Sequence, residues 1–361
     1  MTVRRDTFLA AGLNRRRAQA TGLRSQWSWQ LQRFGVLFAL AISLAAPQAA
    51  TAQTGPSENT LYLSALLRTA NPTARPPGVN PQLTELAIVG DSTQDEYQAP
   101  ENSRPAYNWV EVLAKTRELP LGNWGTWGGS RRTGYEFDWA LSGATSADAL
   151  NNQVPGVAAQ LRNGTVSHVL LQIGINDFNA GELSWQIYLG YPIGTGPLDA
   201  IADNIIASAR QLNAAAPGSV IVAATQDYLF LDLVPNPQNA AFSNPTGRQR
   251  AIEAFAYVNE RVRRALQAEG ISWWDFNAAM AAEVKARRQG DLIAIDGQWV
   301  NIRHRGGEPL DGFVDDAYMH PGSAISGLFA KLYIERMNAQ WGLGIAPLTD
   351  AEIMGLADAL P

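Results

Sequence analysis

The chain has 361 residues and a formal net charge of −5, with 46% hydrophobic and 17% charged residues. This balance is typical of a globular protein with a sizeable core. The sequence contains no Cys, which excludes disulfides, thiolate metal sites and thiol nucleophiles. Nucleic acid is not an expected partner, because its phosphates are bound by Lys and Arg and this chain is acidic. The sequence leaves the oligomeric state open.

Residues 1–52 have the order of an export signal. Seven Arg and one acid, Asp6, precede the apolar run 34–46, and the segment ends in Ala50-Thr51-Ala52. A basic region, an apolar region of about 13 residues and an A-x-A site are the parts of a cleavable signal peptide. Because the run is short for a membrane span, we expect cleavage rather than an uncleaved anchor. The mature protein is then periplasmic or secreted, and both the Sec and the twin-arginine routes stay open.

Removing this segment takes away seven Arg and one Asp, which changes the net charge from −5 to −11. Residues 53–84 contain five Pro and predict a linker or a wrapped arm. Strands and helices begin to alternate at about residue 85, and we expect one domain over residues 85–341. The tail, residues 342–361, contains a capping-box pattern from Thr349 to Glu352 that predicts a short helix.

Four continuous apolar runs predict buried strands at residues 86–89, 168–173, 219–225 and 271–276. Hydrophobicity without alternation is typical of strands that are covered on both faces, as in a parallel sheet. The intervening stretches, such as residues 198–212 and Ser323–Trp341, repeat apolar residues at helical spacing. This alternation predicts a three-layer α/β/α sandwich with a mostly parallel sheet. The pair Asp296-Gly297 predicts an inserted β-hairpin over residues 292–302.

Polar residues follow the first two predicted strands. Gly90-Asp91-Ser92 comes after the first strand, where a small residue permits a turn that projects the Ser92 hydroxyl into a crevice. The residues after Ser92 are predicted to begin a helix whose N–H groups favour an oxyanion. Asn176 follows the second strand and offers the uncharged N–H donor that an oxyanion hole requires. Taken singly, each motif is more typical of a helix cap or an Asx turn.

Three His residues are candidates for a general base. His320 is favoured, because Pro321 fixes the backbone after it and the residue follows both polar motifs in the chain. His168 begins a predicted buried strand and is expected to be structural. His304 lies in a predicted loop between two Arg and is expected at the surface.

Other catalytic and binding motifs are absent from the sequence. There is no G-x-S-x-G, no G-x-x-x-x-G-K-[ST], no G-x-G-x-x-G after a predicted strand and no H-E-x-x-H. No metal and no cofactor are therefore expected.

Together the motifs resemble the SGNH or GDSL hydrolases over roughly residues 85–340. The resemblance implies a flavodoxin-like SGNH fold with Ser92 as the nucleophile, and it places the Ser92 N–H in the oxyanion hole. The family motif N-x-A-x-x-G aligns with residues 138–143, which implies that the Gly143 N–H is the second donor. Asp138 stands where the family usually has Asn. The G-x-N-D motif implies that Asn176 is the third donor.

The family's D-x-x-H motif fits only in part. His320 matches, but Ala317 lies three residues before it, Asp316 four and Asp315 five. Asp316 is the preferred triad acid, because it needs the smaller adjustment of the loop to reach the imidazole. Asp315 is the alternative acid, and a Ser-His dyad with an acid from elsewhere is a third option.

The sequence thus predicts an exported serine esterase or lipase-like hydrolase that forms an acyl-enzyme on Ser92. Its substrate is an ester of a small molecule, a lipid or an acylated glycan. Residues 181–197 and 227–235 could line an apolar acyl pocket. The aromatic stretch 122–135 could stack sugar rings, so one alternative is a polysaccharide O-acetyl esterase. The other alternative is a non-catalytic exported glycan-binding protein that keeps the fold.

Overall fold

A computed structural model describes residues 83–128, 131–179, 183–227, 244–314 and 320–359. The predicted export segment, the predicted arm up to residue 82 and the candidate acids Asp315 and Asp316 lie outside these ranges. The expectations for those segments therefore stay predictions.

The described strands are β1 (Leu86–Val89), β2 (Trp124–Thr126), β3 (Thr133–Tyr135), β4 (His168–Leu171), β5 (Val220–Ala223), β6 (Ser272–Trp274), β7 (Arg288–Gln289), β8 (Leu292–Ile295), β9 (Gln298–Arg305) and β10 (Asp311–Phe313). The described helices are α1 (Trp109–Arg117), α2 (Ser146–Asp148), α3 (Val154–Arg162), α4 (Ile175–Asn179), α5 (Leu183–Leu189), α6 (Gly196–Ala215), α7 (Pro245–Ala268), α8 (Phe276–Arg287), α9 (Ser323–Trp341) and α10 (Asp350–Asp358). A π-helical turn over Ala149–Gln153 precedes α3.

The central sheet contains four parallel strands in the order β1-β4-β5-β6. Alternate residues of each strand enter two separate apolar cores. Leu86 and Ile88 of β1 pack into the core formed with α1, α8 and α9. Ala87 and Val89 pack into the core formed with α3, α6 and α7. Because both faces of the sheet are covered, its strands are apolar along their whole length, and the predicted three-layer sandwich is confirmed.

A fifth segment extends this sheet beyond β1. Asp138 forms a parallel bridge with Ile88, and the Trp139 N–H donates to the Ile88 carbonyl at 2.9 Å. The strand order therefore reverses at β1. The segment around Asp138, which comes earlier in the chain than β4, lies on one side of β1, and β4 lies on the other. In doubly wound sheets of this flavodoxin-like order, ligands bind at the carboxyl ends of the strands beside this switch point.

A second sheet, of strand order β10-β9-β8-β7, contains the predicted hairpin. β8 and β9 pair antiparallel across Asp296-Gly297, whose φ angles of 48° and 72° suit a two-residue hairpin turn. The predicted hairpin is confirmed, and β7 and β10 widen it on either side. Phe313 at the end of β10 pairs with Pro321, which brings the chain to His320.

The tail contains α10, and Thr349 caps it by accepting the Glu352 N–H at 3.2 Å. Within the described ranges, no helix combines the length and the apolar character that a membrane crossing requires.

The Asp138 carboxyl is buried in the sheet extension, with 6% of the residue exposed. Its Oδ1 accepts the Ala140 N–H at 2.9 Å, whereas Oδ2 has no hydrogen-bond partner among the described residues. Burial, followed by the nearby Glu96 carboxyl, raises the pKa of Asp138 well above its ordinary value. The folded protein therefore favours the protonated acid, whereas the unfolded chain ionises at the ordinary pKa.

This difference predicts that Asp138 makes stability depend on pH. Its contribution is fully present below the unfolded pKa and is lost as pH rises towards the folded pKa. As pH rises from about 5 towards the folded pKa, the free energy of unfolding should fall less steeply in Asp138→Asn than in wild type, by up to about 1.4 kcal/mol per pH unit. Urea denaturation across this range measures both slopes, and identical slopes would contradict the assignment.

Candidate active site

Ser92 follows β1 at the carboxyl edge of the sheet, and 6% of the residue is exposed. The Gln153 side chain accepts the Gly90 N–H at 3.0 Å and donates to the Gly90 carbonyl at 2.9 Å. A Cβ at position 90 would lie 2.4 Å from Gln94 Oε1, so the close approach of the Gln94 side chain requires a glycine at position 90. The loop that carries Ser92 is thus fixed where it leaves the strand.

The prediction of a helix directly after Ser92 is wrong. The residues that follow form turns, and α1 begins only at Trp109. The Thr93 N–H and hydroxyl both donate to Asp91 Oδ1 at 3.1 Å, and the Asp91 N–H donates to Gln94 Oε1 at 2.9 Å. Short polar side chains that take up backbone N–H groups in this way compete with helix formation. The Ser92 N–H therefore belongs to a turn rather than to a helix N-terminus.

The Gln94 side chain forms a hydrogen bond with Gln172, the residue that follows β4. Gln172 Oε1 accepts hydrogen bonds from three buried side chains at 2.8–3.0 Å, namely Gln94, Gln226 and Tyr333. The Gln172 amide donates in turn to the Ala224 carbonyl at 3.0 Å. This network connects residues 90–108, the loop of the predicted nucleophile (the nucleophile loop), to β4, β5 and α9. The sequence reading missed it, although a Gln inside the apolar run 168–173 was a signal.

Buried acids surround the nucleophile loop. Burial is the largest cause that raises the pKa of Asp91 to about 7, of Glu111 to about 7 and of Glu96 to about 8. The hydrogen bonds from Thr93 to Asp91 and from the Tyr135 N–H to Glu96 (2.6 Å) oppose this effect without cancelling it. Near neutral pH these carboxyls are partly protonated, which limits the negative charge beside Ser92.

Gly143 ends the segment that extends the sheet beside β1. The Leu141 N–H donates to the Gly90 carbonyl at 3.3 Å, so this segment runs alongside the nucleophile loop. Gly143 is exposed and has a φ of +84°, a backbone conformation that favours glycine. Gly143 and Ser92 therefore follow neighbouring segments at the same edge of the sheet.

Asn176 lies in the first turn of α4, just after β4. Its Nδ2 donates to the Ala144 carbonyl at 3.0 Å, which places this amide directly beside Gly143. Asp177 fastens the same two segments together, because its carboxylate accepts the Ser146 N–H and hydroxyl at 2.7 Å each. The structure thus brings the second and third oxyanion candidates together.

His320 lies against the turns that follow Ser92. The His320 ring contacts the Tyr97 ring edge-on, with centroids 6.0 Å apart, and its Nε2 is 3.3 Å from Arg104 Nη2. The His320 carbonyl accepts the Val314 N–H at 3.0 Å, which joins the residue to the end of the second sheet. In the described part of the chain, no hydrogen bond joins the Ser92 and His320 side chains.

The two other His residues lie away from this cluster. His168 is fully buried in β4, its Nδ1 lies 2.9 Å from Ser167 Oγ, and its ring packs against Trp341. This is the structural role that was expected. The His304 side chain is 64% exposed, as expected for a surface residue, but it belongs to β9 and not to a loop.

Asp95 connects the nucleophile loop with the Gly143 segment. Its Oδ2 accepts the Ser142 N–H at 2.6 Å and forms an ion pair with Arg132. The Ser142 hydroxyl donates to Asn102 Oδ1 at 3.0 Å, which adds a second link between the same two loops. Sequence reasoning passed over Asp95, although an acid three residues after the predicted nucleophile Ser92 was a visible signal.

Two cavities help to place the site. One of about 190 Å³ is lined by the segment around Gly143 and by neighbouring polar residues, including Asp148 and Gln153. The other, of about 710 Å³, lies between α6 and α7 and is lined by charged residues such as Arg210 and Arg261. Gly143 lines the smaller cavity, whereas none of the predicted site residues lines the larger one.

Comparisons with known proteins identify one family that this chain matches. The model of the GDSL-like Lipase/Acylhydrolase family matches residues 88–324, about two thirds of the chain. A search of curated protein sequences gave no match.

Similar solved structures include three enzymes of low sequence identity. The psychrotrophic esterase EstA of a Pseudoalteromonas species shares 14% identity, with 71% of this chain and 97% of that chain covered and a TM-score of 0.37. Phospholipase A1 of Streptomyces albidoflavus shares 15% identity, with coverage of 72% and 99% and a TM-score of 0.41. A variant of an acetyl xylan esterase of Geobacillus stearothermophilus shares 16% identity, with coverage of 75% and 99% and a TM-score of 0.37.

The family match supports ester hydrolysis in general. It begins within β1 and ends in the first turn of α9, so it includes Ser92, Gly143, Asn176 and His320. On this match, the chain belongs to the GDSL-like lipase/acylhydrolase family.

Proposed function

We propose that this protein is an exported serine esterase that cleaves carboxylic esters through an acyl-enzyme on Ser92. The observation that carries the proposal is the convergence of Ser92, Gly143 and Asn176 at one sheet edge, with His320 against the loop that follows Ser92. A nucleophile, uncharged N–H donors and a base are the groups that acyl transfer requires.

In the first step, His320 Nε2 takes the proton of the Ser92 hydroxyl while Oγ attacks the ester carbonyl. The Ser92 and Gly143 N–H groups and the Asn176 Nδ2 stabilise the negative charge that develops on the carbonyl oxygen. His320 then gives its proton to the leaving alcohol, and the acyl group stays on Ser92. Water, activated by the same imidazole, releases the acid and restores the enzyme.

The contact between Arg104 and His320 supports the role of the imidazole. A guanidinium only donates hydrogen bonds, so this contact requires the tautomer in which His320 Nε2 accepts and Nδ1 carries the proton. A general base that acts through Nε2 needs this tautomer. In the proposed triad, Asp316, or Asp315 as the alternative, accepts the Nδ1 proton.

Export is proposed from the sequence of residues 1–52, with cleavage after Ala52. The mature protein then acts in the periplasm or outside the cell. N-terminal sequencing of the protein recovered outside the cytoplasm would test this step.

A polysaccharide O-acetyl esterase is the second candidate, and the β2–β3 hairpin favours it. Trp124 on this hairpin is 45% exposed and contacts the Tyr135 ring edge-on. The hairpin is attached to the nucleophile loop, because Glu96 accepts the Tyr135 N–H and Asp95 pairs with Arg132. An exposed aromatic ring fixed near the nucleophile is suited to stack on a sugar. A panel of acyl chain lengths, tested beside acetylated xylan, separates the two candidates.

The proposed chemistry predicts that hydrolysis of p-nitrophenyl esters depends on Ser92 and His320. Ser92→Ala and His320→Ala should each lower kcat by about 1000-fold or more, because nucleophile and base act as a unit. His304→Ala is the matched control, since this exposed His lies on β9, and it should keep the wild-type rate. Wild-type rates in the folded Ser92→Ala variant would favour a non-catalytic binding protein with a contaminating esterase.

The oxyanion assignment predicts graded losses. Asn176→Ala should lower kcat by about 100- to 1000-fold.

Asp95→Ala should lower kcat by about 10- to 100-fold with little change in KM, because it releases the Ser142 N–H and lets the Gly143 segment shift. Asp95→Asn keeps an acceptor for this N–H and should recover part of the loss. Equal rates in Asp95→Ala and wild type would show that Asp95 does not position the oxyanion hole.

A further inference from the structure

Arg104 lies at the catalytic base, although no motif identifies it. Its Nη2 donates to His320 Nε2 over 3.3 Å, and this is the nitrogen that the proposed mechanism presents to Ser92 and to the leaving group. A group bound to this nitrogen stands where the substrate has to bind.

The position of Arg104 is fixed by its surroundings. Its N–H donates to the Tyr97 carbonyl at 2.9 Å, and its carbonyl accepts from Gln98 Nε2 at 2.9 Å. The guanidinium carbon lies 5.0 Å from the centroid of the Tyr97 ring, within the range of a cation–π contact. The half-buried side chain is therefore held in place beside the base.

The guanidinium of Arg104 keeps donors that the described residues do not use. Its Nη1 is buried without a hydrogen-bond partner, and it forms no ion pair in the described part of the chain. Two neighbouring Arg residues also have a buried nitrogen without a partner, their Nε, but the Nη2 of each binds a carboxylate or carbonyl oxygen rather than an imidazole. Arg132 is paired with Asp95, and Arg131 donates to the carbonyls of Tyr135 and Asp138. A guanidinium nitrogen that is buried without an acceptor is costly, and an anionic group on a ligand would supply that acceptor.

We propose that Arg104 is a specificity residue that binds a carboxylate carried by the ester substrate close to the scissile bond. A planar carboxylate matches the paired donors of a guanidinium. When Nη2 turns to this carboxylate, it leaves His320 Nε2 free to accept the Ser92 proton. A neutral ester leaves Arg104 on Nε2, where it competes with Ser92. The inference rests on the proposed function and names the substrate class of the same site.

Matched pairs of esters test the inference. For the acyl side, mono-p-nitrophenyl glutarate is compared with its neutral methyl ester. For the alcohol side, 4-acetoxybenzoate is compared with methyl 4-acetoxybenzoate. In wild type, kcat/KM should be higher for the charged member of one pair, and that pair identifies the side on which the carboxylate lies. Arg104→Gln should lower this charged-to-neutral ratio by about 10- to 100-fold, and Arg104→Lys should lower it less.

The control is Arg264→Gln, which changes the net charge by the same amount as Arg104→Gln. Arg264 is 75% exposed on α7 and bound to Glu260, so the ratio should stay at the wild-type value. Ratios that are equal in wild type and Arg104→Gln overturn the inference. If Arg104→Gln does not fold, the wild-type protein alone tests the inference. Charged-to-neutral ratios of kcat/KM at or below one in both ester pairs then overturn the inference. Loss of Ser92 dependence for the neutral esters would instead contradict the proposed function.

Discussion

The side chain of Gln172 connects the nucleophile loop to the sheet beneath it. Its Oε1 accepts hydrogen bonds from three buried groups, namely Gln94, Gln226 and Tyr333. A buried polar group without a partner costs about 1–3 kcal/mol, so these groups are stable in the core only when they are buried together. Because Gln94 also accepts the Asp91 N–H, the position of Ser92 depends on this network and not on a helix.

The other parts of the site are joined to this loop by polar contacts between segments distant in the chain. Asp95 holds the segment of Gly143, and Asn176 reaches the same segment from α4. His320 lies beside the end of β10, an edge strand of the second sheet, and packs on Tyr97. In the proposed oxyanion hole, donors that are positioned before the substrate binds cost no reorganisation during the reaction.

Much of the fold could be predicted from the sequence, because continuous apolar runs leave few alternatives to buried parallel strands. β1 has its predicted bounds, and the other three predicted strands of the central sheet are shorter than expected by two or three residues each. The absence of a helix after Ser92 could not be predicted from helix propensity, because the side chains of Asp91 and Gln94 accept hydrogen bonds from the backbone N–H groups there. Asp95 and Arg104 escaped sequence reasoning because their roles arise from partners far along the chain. The choice between Asp316 and Asp315 stays a prediction.

The central claim is that Ser92 is an activated nucleophile. Its most direct test is reaction of the folded protein with a fluorophosphonate, followed by mass spectrometry of the peptides. A serine that is deprotonated by His320 and faces an oxyanion hole attacks phosphorus and keeps the phosphonyl group. We predict one adduct per chain, located on Ser92 and prevented by denaturation before labelling. An unlabelled folded protein, or an adduct on another serine, would contradict the claim.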